Sequence, residues 1–144
     1  MGKDYDPRMH SAEHILNQTM VRMFRCGRSF SAHIEKKKTK CDYRFDRDLS
    51  QTEKDEISRR VNQVIAQNLP VREEFLTRAE AAAQFVLDRL PDQSGDTVRI
   101  IRIGDYDACP CIGQHVHSTD EIGKFQLVST GHSDGVLRIR FKLE

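Results

Sequence analysis

A chain of 144 residues is long enough for one domain with a hydrophobic core. At 38% hydrophobic and 31% charged residues it lacks the composition of a disordered chain, and no apolar run approaches the roughly 18 residues of a membrane span. A net charge of +1 excludes a protein held to nucleic acid by bulk charge alone and leaves only local basic patches for that purpose.

The first residues, Met1 to Pro7, are polar and carry no apolar signal-peptide segment. The four cysteines (Cys26, Cys41, Cys109, Cys111) do not form the ladder of a secreted disulfide protein. A cytoplasmic protein with thiols free for metal is therefore expected, as a monomer or a homodimer, with no membrane partner.

Asp6-Pro7 opens the first helix: Asp accepts from an orphan N–H, and Pro suits the first helical position. Apolar residues recur at helical period through Met9, Ala12, Ile15, Leu16, Met20, Met23 and Phe24, with Gly27 as the expected stop. Arg28 to Ile34 and Lys40 to Phe45 alternate, which predicts a hairpin around the lysines Lys36, Lys37 and Lys38. Ser50 to Glu53 is a capping box for a second helix, buried along Ile57, Val61, Val64 and Ile65 and ending near Leu69-Pro70. Val71 to Leu76 reads as a short strand. Thr77 to Glu80 caps an Ala-rich helix to about Leu87, and Pro91 to Asp96 reads as a loop. Thr97 to Ile103 is a β-branched strand, and Gly104 to Gln114 reads as irregular. Strands over Phe125 to Thr130 and Val136 to Leu143 flank a turn at His132 to Gly135. The expected fold is α+β, a single two-layer domain over residues 1–144 with a mainly antiparallel sheet packed against helices.

Two pairs of metal-type residues stand out. His10 and His14 lie four apart on the first helix, so both imidazoles share one face. A hundred residues on, Cys111 and His115 repeat that spacing on a segment that Gly113 can bend. Nitrogen and thiolate donors suit zinc. Cys109 competes with Cys111 for the sulfur position, and the spacing leaves that choice open. Four protein ligands would make a closed, structural site; three would leave a position for water or substrate. His10-x-x-Glu13-His14 also matches the H-x-x-E-H signature of a small zinc peptidase, with Glu13 as general base. That chemistry asks for a further carboxylate, for which Glu53, Glu56 and Glu80 are the candidates.

The segment His10 to Leu16 resembles the H-x-x-x-H opening of the alanyl- and threonyl-tRNA synthetase editing domain, the second additional domain. Cys111 to His115, followed by Ser118-Thr119-Asp120-Glu121-Ile122-Gly123, resembles its C-x-x-x-H and T-G-E-I-G stretch, and Val136 to Phe141 its closing strand. The element order fits throughout, including the hairpin that ends in Tyr43-Arg44-Phe45-Asp46. The chain has no room for an aminoacylation or anticodon-binding domain, so the likeness is to the standalone AlaX-type trans-editing proteins.

The resemblance implies hydrolysis of the ester bond of a mischarged aminoacyl-tRNA, seryl- or glycyl-tRNA for alanine, with Zn2+ on His10, His14, Cys111 and His115. It also implies a structural turn at Glu121-Ile122-Gly123. Asp120 stands where the family has Gly, which predicts an altered turn there. Glu13 is the candidate proton carrier. Ser29, Ser31 and Thr39 offer hydroxyls for a seryl side chain, and His33 and His117 are further polar candidates for substrate. Cations for the tRNA are Arg22, Arg25 and Arg28, Lys36 to Lys38, or Arg138, Arg140 and Lys142 on the last strand. The alternative to a deacylase is a non-catalytic tRNA-binding module with a structural zinc.

Overall fold

The computed structural model describes residues 6–35, 37–85 and 96–144. Lys36, the expected helix end at Leu87 and the loop from Pro91 lie outside these residues. The architecture is α+β. Helix α1 (Pro7–Phe24) starts where Asp6 accepts from the backbone N–H groups of Arg8 and Met9, with Pro7 in the first turn. It does not run on to Gly27: Arg25 takes the left-handed conformation, φ 56°, and its N–H closes on the Val21 carbonyl.

Strands β1 (Ser31–Ile34) and β2 (Thr39–Arg44) form the expected hairpin, though β1 starts three residues late. Helix α2 (Gln51–Ala66) carries both arms of the Ser50–Glu53 capping box. Such a cap is worth about 1 kcal/mol. Strand β3 (Val71–Thr77) leads into helix α3 (Arg78–Gln84), capped reciprocally by Thr77 and Glu80. Strand β4 (Thr97–Ile103) follows. The segment read as irregular then contains strand β5 (Asp107–Pro110), with Cys109 opposite Ile101. Strands β6 (Phe125–Ser133) and β7 (Val136–Leu143) close the chain. Their turn is shorter than expected: His132 and Ser133 belong to β6, and Asp134 and Gly135 alone make the corner with φ 52° and 76°, the type I′ pattern.

The strands form two antiparallel sheets instead of one, in the orders β1-β2-β7-β6 and β3-β4-β5. The apolar faces of α1 and α2 pack on the first sheet: Met9, Ala12, Ile15, Leu16 and Met20 meet Cys41, Tyr43, Leu137, Ile139 and Phe141. Arg138, Arg140 and Lys142 face away from it, as the alternation requires. A smaller cluster of Ala81, Val98 and Ile100 sits between α3 and the second sheet. A bridge between Pro70 and Ser118 links the start of β3 to the segment after His115. No helix among the described residues is long and apolar enough to cross a membrane.

Candidate metal centre

The polar residues of α1 fall at helical spacing: His10, Glu13, His14 and Asn17 form one stripe beside the apolar face. The stripe does not face solvent. Exposure is 5% at His10, 7% at Glu13 and 3% at His14. It lies under the loop after β5, and that loop completes the cluster. One ligand atom each from His10, His14, Cys111 and His115 lies within 4.8 Å of all the others.

The loop half is held by distant residues. The Arg99 guanidinium donates to the carbonyls of Cys111 (3.1 Å) and Gly113 (2.8 Å), and Glu73 holds its Nε at 2.7 Å. Gly113 lies flat against the His10 ring; a Cβ there would stand 2.5 Å from Nδ1 and closer still to Cε1. Cys109 is not in the cluster. Its thiol donates to the Pro110 carbonyl, and burial pushes its pKa up.

All three rings turn Nδ1 outward. His10 Nδ1 meets the Gln114 carbonyl at 3.2 Å, and His115 Nδ1 meets Ser11 Oγ at 2.9 Å. His14 Nδ1 lies 3.6 Å from Asp107 Oδ2, an ion-pair contact longer than a hydrogen bond. Each Nε2 is thereby left for the interior. His10 Nε2 stands 3.3 Å from Cys111 Sγ, and His115 Nε2 is buried with no hydrogen-bond partner. Outward hydrogen bonds that orient ligand imidazoles are typical around a metal. The orphaned Nε2, in a donor set of three imidazole nitrogens and one sulfur, fits zinc.

The electrostatics agree with that fit. Burial alone would push the Cys111 thiol up, but the imidazoles of His10, His115 and His14 around it bring it down to about 3, so the candidate ligand is a thiolate. Burial lowers His115 to about 4, leaving it neutral. Burial also works against charge on His14, yet Asp107, Cys111 and Glu13 together raise its pKa well above the usual value.

Glu13, the candidate proton carrier, is buried at the cluster. Its Oε1 lies 3.9 Å from His10 Nε2 and 4.0 Å from His14 Nε2, and its Oε2 accepts from Asn17 Nδ2. Asn17 has no freedom to flip. Its Oδ1 accepts from the Tyr43 hydroxyl (2.7 Å) and from the Ser29 N–H (3.2 Å), so its amide nitrogen must face Glu13. The carboxylates weighed for a peptidase are occupied elsewhere: Glu53 by Arg47 and the Ser50 cap, Glu56 by Arg59 and Arg60, Glu80 by the Thr77 cap.

The other singled-out residues scatter. Ser29 is buried, with its hydroxyl on the Ser31 carbonyl. Thr39 is buried and donates to Met9 Sδ. Ser31 and His33 sit on β1, His33 exposed. His117 is exposed and lines an open cavity of 690 Å³ that reaches His115 and is also bordered by Arg8, Arg99, Gln114 and Glu121. Arg28 is not a free surface cation. It grips Asp107 with both arms, at 2.7 and 3.2 Å. Removing one partner of such a pair costs about 3–5 kcal/mol, the lower end being apt because Arg28 keeps 27% side-chain exposure. Arg22 stacks on Tyr106 and donates to its carbonyl, while Arg25, Lys37 and Lys38 are exposed. The turn after the site also differs from expectation. Asp120 needs no positive φ, since Thr119–Glu121 is one 3-10 turn, and the left-handed residue is Gly123, φ 89°. A Cβ on Gly123 would press on the Glu144 carbonyl oxygen and stand 2.8 Å from Arg8 Nη2.

Residues 98–140, which carry Arg99, Asp107 and the loop ligands, match the model of the threonyl and alanyl tRNA synthetase second additional domain. The chain belongs to that second additional domain family. It is 33% identical over 135 residues to an alanine–tRNA ligase of Coxiella burnetii, covering 92% of this chain and 16% of the relative. The figures are 31% over 134 residues, with the same coverage, for Fervidobacterium nodosum. For Methylococcus capsulatus they are 33% over 138 residues, 90% of this chain and 15% of the relative. The chain thus spans about a sixth of the length of these ligases. Within the second additional domain, Asn17, Tyr43, Asp107, Arg99 and Ser11 had escaped the sequence reading. The polar stripe at 10, 13, 14 and 17 was the available signal for Asn17; the others act across long sequence separations.

Proposed function

We propose that residues 1–144 act as a tRNA-editing domain that hydrolyses the ester bond of mischarged aminoacyl-tRNA, with seryl- or glycyl-tRNA for alanine as substrate. His10, His14, Cys111 and His115 hold Zn2+. A zinc ion there would supply a Lewis acid beside the scissile ester once one of the four donors gives way to leave a position open. The observation that carries the reading is Glu13: a buried carboxylate aimed at two ligand nitrogens, with its other oxygen held by Asn17.

Glu13 Oε1 takes the proton from the attacking water and, as the ester C–O bond breaks, delivers it to the leaving ribose oxygen, the ordinary pattern of general acid–base catalysis. Asn17 keeps the carboxylate from rotating away. The cavity beside His115 receives the aminoacyl end, with His117 at its wall, and the exposed cations Arg25, Lys37 and Lys38 meet the tRNA backbone. Contact through a few side chains suits a protein of net charge +1. Zinc-loaded protein incubated with a panel of mischarged tRNAs is expected to free serine or glycine from tRNA for alanine, and the double variant His10→Ala, His14→Ala to free none. A panel left intact by metal-loaded wild type would reject the reading.

One observation favours a second reading. Four protein donor atoms within 4.8 Å satisfy a closed tetrahedral set. On that reading the zinc is structural and the chain binds tRNA without turnover; Glu13→Gln would then leave tRNA binding unchanged and have no deacylation to abolish.

A further inference from the structure

We infer that Asp107 is a positioning residue for the cluster: its locked carboxylate holds the His14 proton on Nδ1 and so turns the Nε2 lone pair toward Cys111 and His115. This rests on the metal-holding half of the reading above and is independent of the ester chemistry.

The Asp107 side chain has no exposure at all. Its Oδ1 accepts from Arg28 Nη1 at 2.7 Å and from Gln18 Nε2 at 2.9 Å. Its Oδ2 accepts from Arg28 Nη2 at 3.2 Å and lies 3.6 Å from His14 Nδ1. Held on both oxygens, the carboxylate cannot swing. A neutral imidazole carries one N–H and one lone pair, and which nitrogen bears the proton is set by what each nitrogen faces. His14 Nδ1 is buried without a hydrogen-bond partner and faces the Asp107 carboxylate at 3.6 Å, whereas Nε2 faces Glu13 Oε1 at 4.0 Å, so Asp107, fixed on both oxygens, is the nearer of the two anions. An anion at that distance favours the N–H at Nδ1. The other two rings reach the same arrangement through neutral partners, the Gln114 carbonyl and Ser11 Oγ. The Asp107 contact is thus the charged member of a set of three outward contacts. Carboxylate–histidine pairs of this kind commonly shape metal sites, and their loss costs 10–100-fold in affinity.

Asp107 also ties β5 to α1 through Gln18 and to the segment after α1 through Arg28, and a purely structural role is the competing account. Asp107→Asn in the full chain separates the two. The change is nearly isosteric and keeps an oxygen for Arg28, while the amide NH2 it presents to His14 favours the opposite tautomer. Ring nitrogen chemical shifts of 15N-histidine protein without metal, at a pH where His14 is neutral, read the tautomer directly. Zinc competition against a chromogenic chelator reads affinity. The expected result is Nδ1–H in the wild type, a shift toward Nε2–H in Asp107→Asn, a zinc Kd raised roughly 10–100-fold, and partial recovery in Asp107→Glu. A lower thermal midpoint with the wild-type tautomer and wild-type Kd would overturn the inference. Should Asp107→Asn fail to fold, Asp107→Ser, small and without the anion, decides alone: a wild-type tautomer with a wild-type Kd overturns, a shift in both supports. If the wild type takes up no zinc, the metal reading falls, and the tautomer still decides this one.

Discussion

The two halves of the cluster are built by different means. His10 and His14 are placed by local geometry: the i,i+4 spacing of α1 fixes their separation, and the apolar face of the same helix anchors them in the core. Cys111 and His115 come from a loop with no regular structure, placed by Arg99 on the Cys111 and Gly113 carbonyls and by Ser11 on the His115 ring. The helix half would exist in any fold that buried α1. The loop half exists only where β4, β5 and α1 are already together. The cluster takes its rigidity from one side and its dependence on the whole fold from the other.

The contact where the halves meet is the place to break this arrangement. Gly113 has no positive φ, so Gly113→Ala is permitted by its backbone and tests packing alone. A Cβ at 2.5 Å from His10 Nδ1 must displace either the helix half or the loop half. Overpacking of this kind costs about 1–3 kcal/mol, and a loss of about ten- to hundredfold in zinc affinity is expected by competition titration. Unchanged affinity would mean that the loop yields freely and the halves are not rigidly matched.

Protonation sharpens the same contrast. Before metal binds, the loop ligand Cys111 is already a thiolate, with its pKa at about 3, whereas the helix ligand His14 retains its proton above the ordinary histidine range. A metal must displace the His14 proton but none from Cys111. Zinc affinity should therefore weaken by about tenfold per pH unit as pH falls below the raised His14 value. Calorimetry in buffers of different ionisation enthalpy counts the released proton. A flat profile between about pH 6 and 8, the range in which an ordinary histidine titrates, would show that His14 is not the competing group.

The smallest expected effect is that of the clamp itself. Arg99→Met keeps the aliphatic stem and removes both carbonyl contacts. Hydrogen bonds from a charged group are worth about 1.5–3 kcal/mol, and part of that is recovered by water at this partly exposed site, so zinc affinity should drop severalfold with the fold intact by circular dichroism. No change would place the burden of holding the loop on Ser11 and β5 instead.

What the sequence disclosed follows from the range of the interaction. Asp6-Pro7, Ser50 with Glu53 and Thr77 with Glu80 were legible because a cap is settled within four residues. The ligand cluster was legible because each half repeats a recognisable spacing. Strand β5 was not, since Asp107-Ala108-Cys109-Pro110 does not alternate and owes its conformation to pairing with β4. Arg28 read as a surface cation because its partner Asp107 lies 79 residues away. The end of α1 fell on Arg25 and not on Gly27 because an arginine adopted the left-handed conformation that glycine usually supplies.

His10 and Cys111 meet at 3.3 Å although 101 residues separate them in sequence. An ion bridging that contact ties off a loop comprising most of the chain. In the chain-entropy model a cross-link closing about 100 residues removes roughly 4.7 kcal/mol of freedom from the unfolded ensemble, a sizeable share of the roughly 5–15 kcal/mol by which domains are typically stable. Metal supply would then set how long the folded chain survives as well as what it can do, so that a cell short of the ion would lose the protein and not merely its activity.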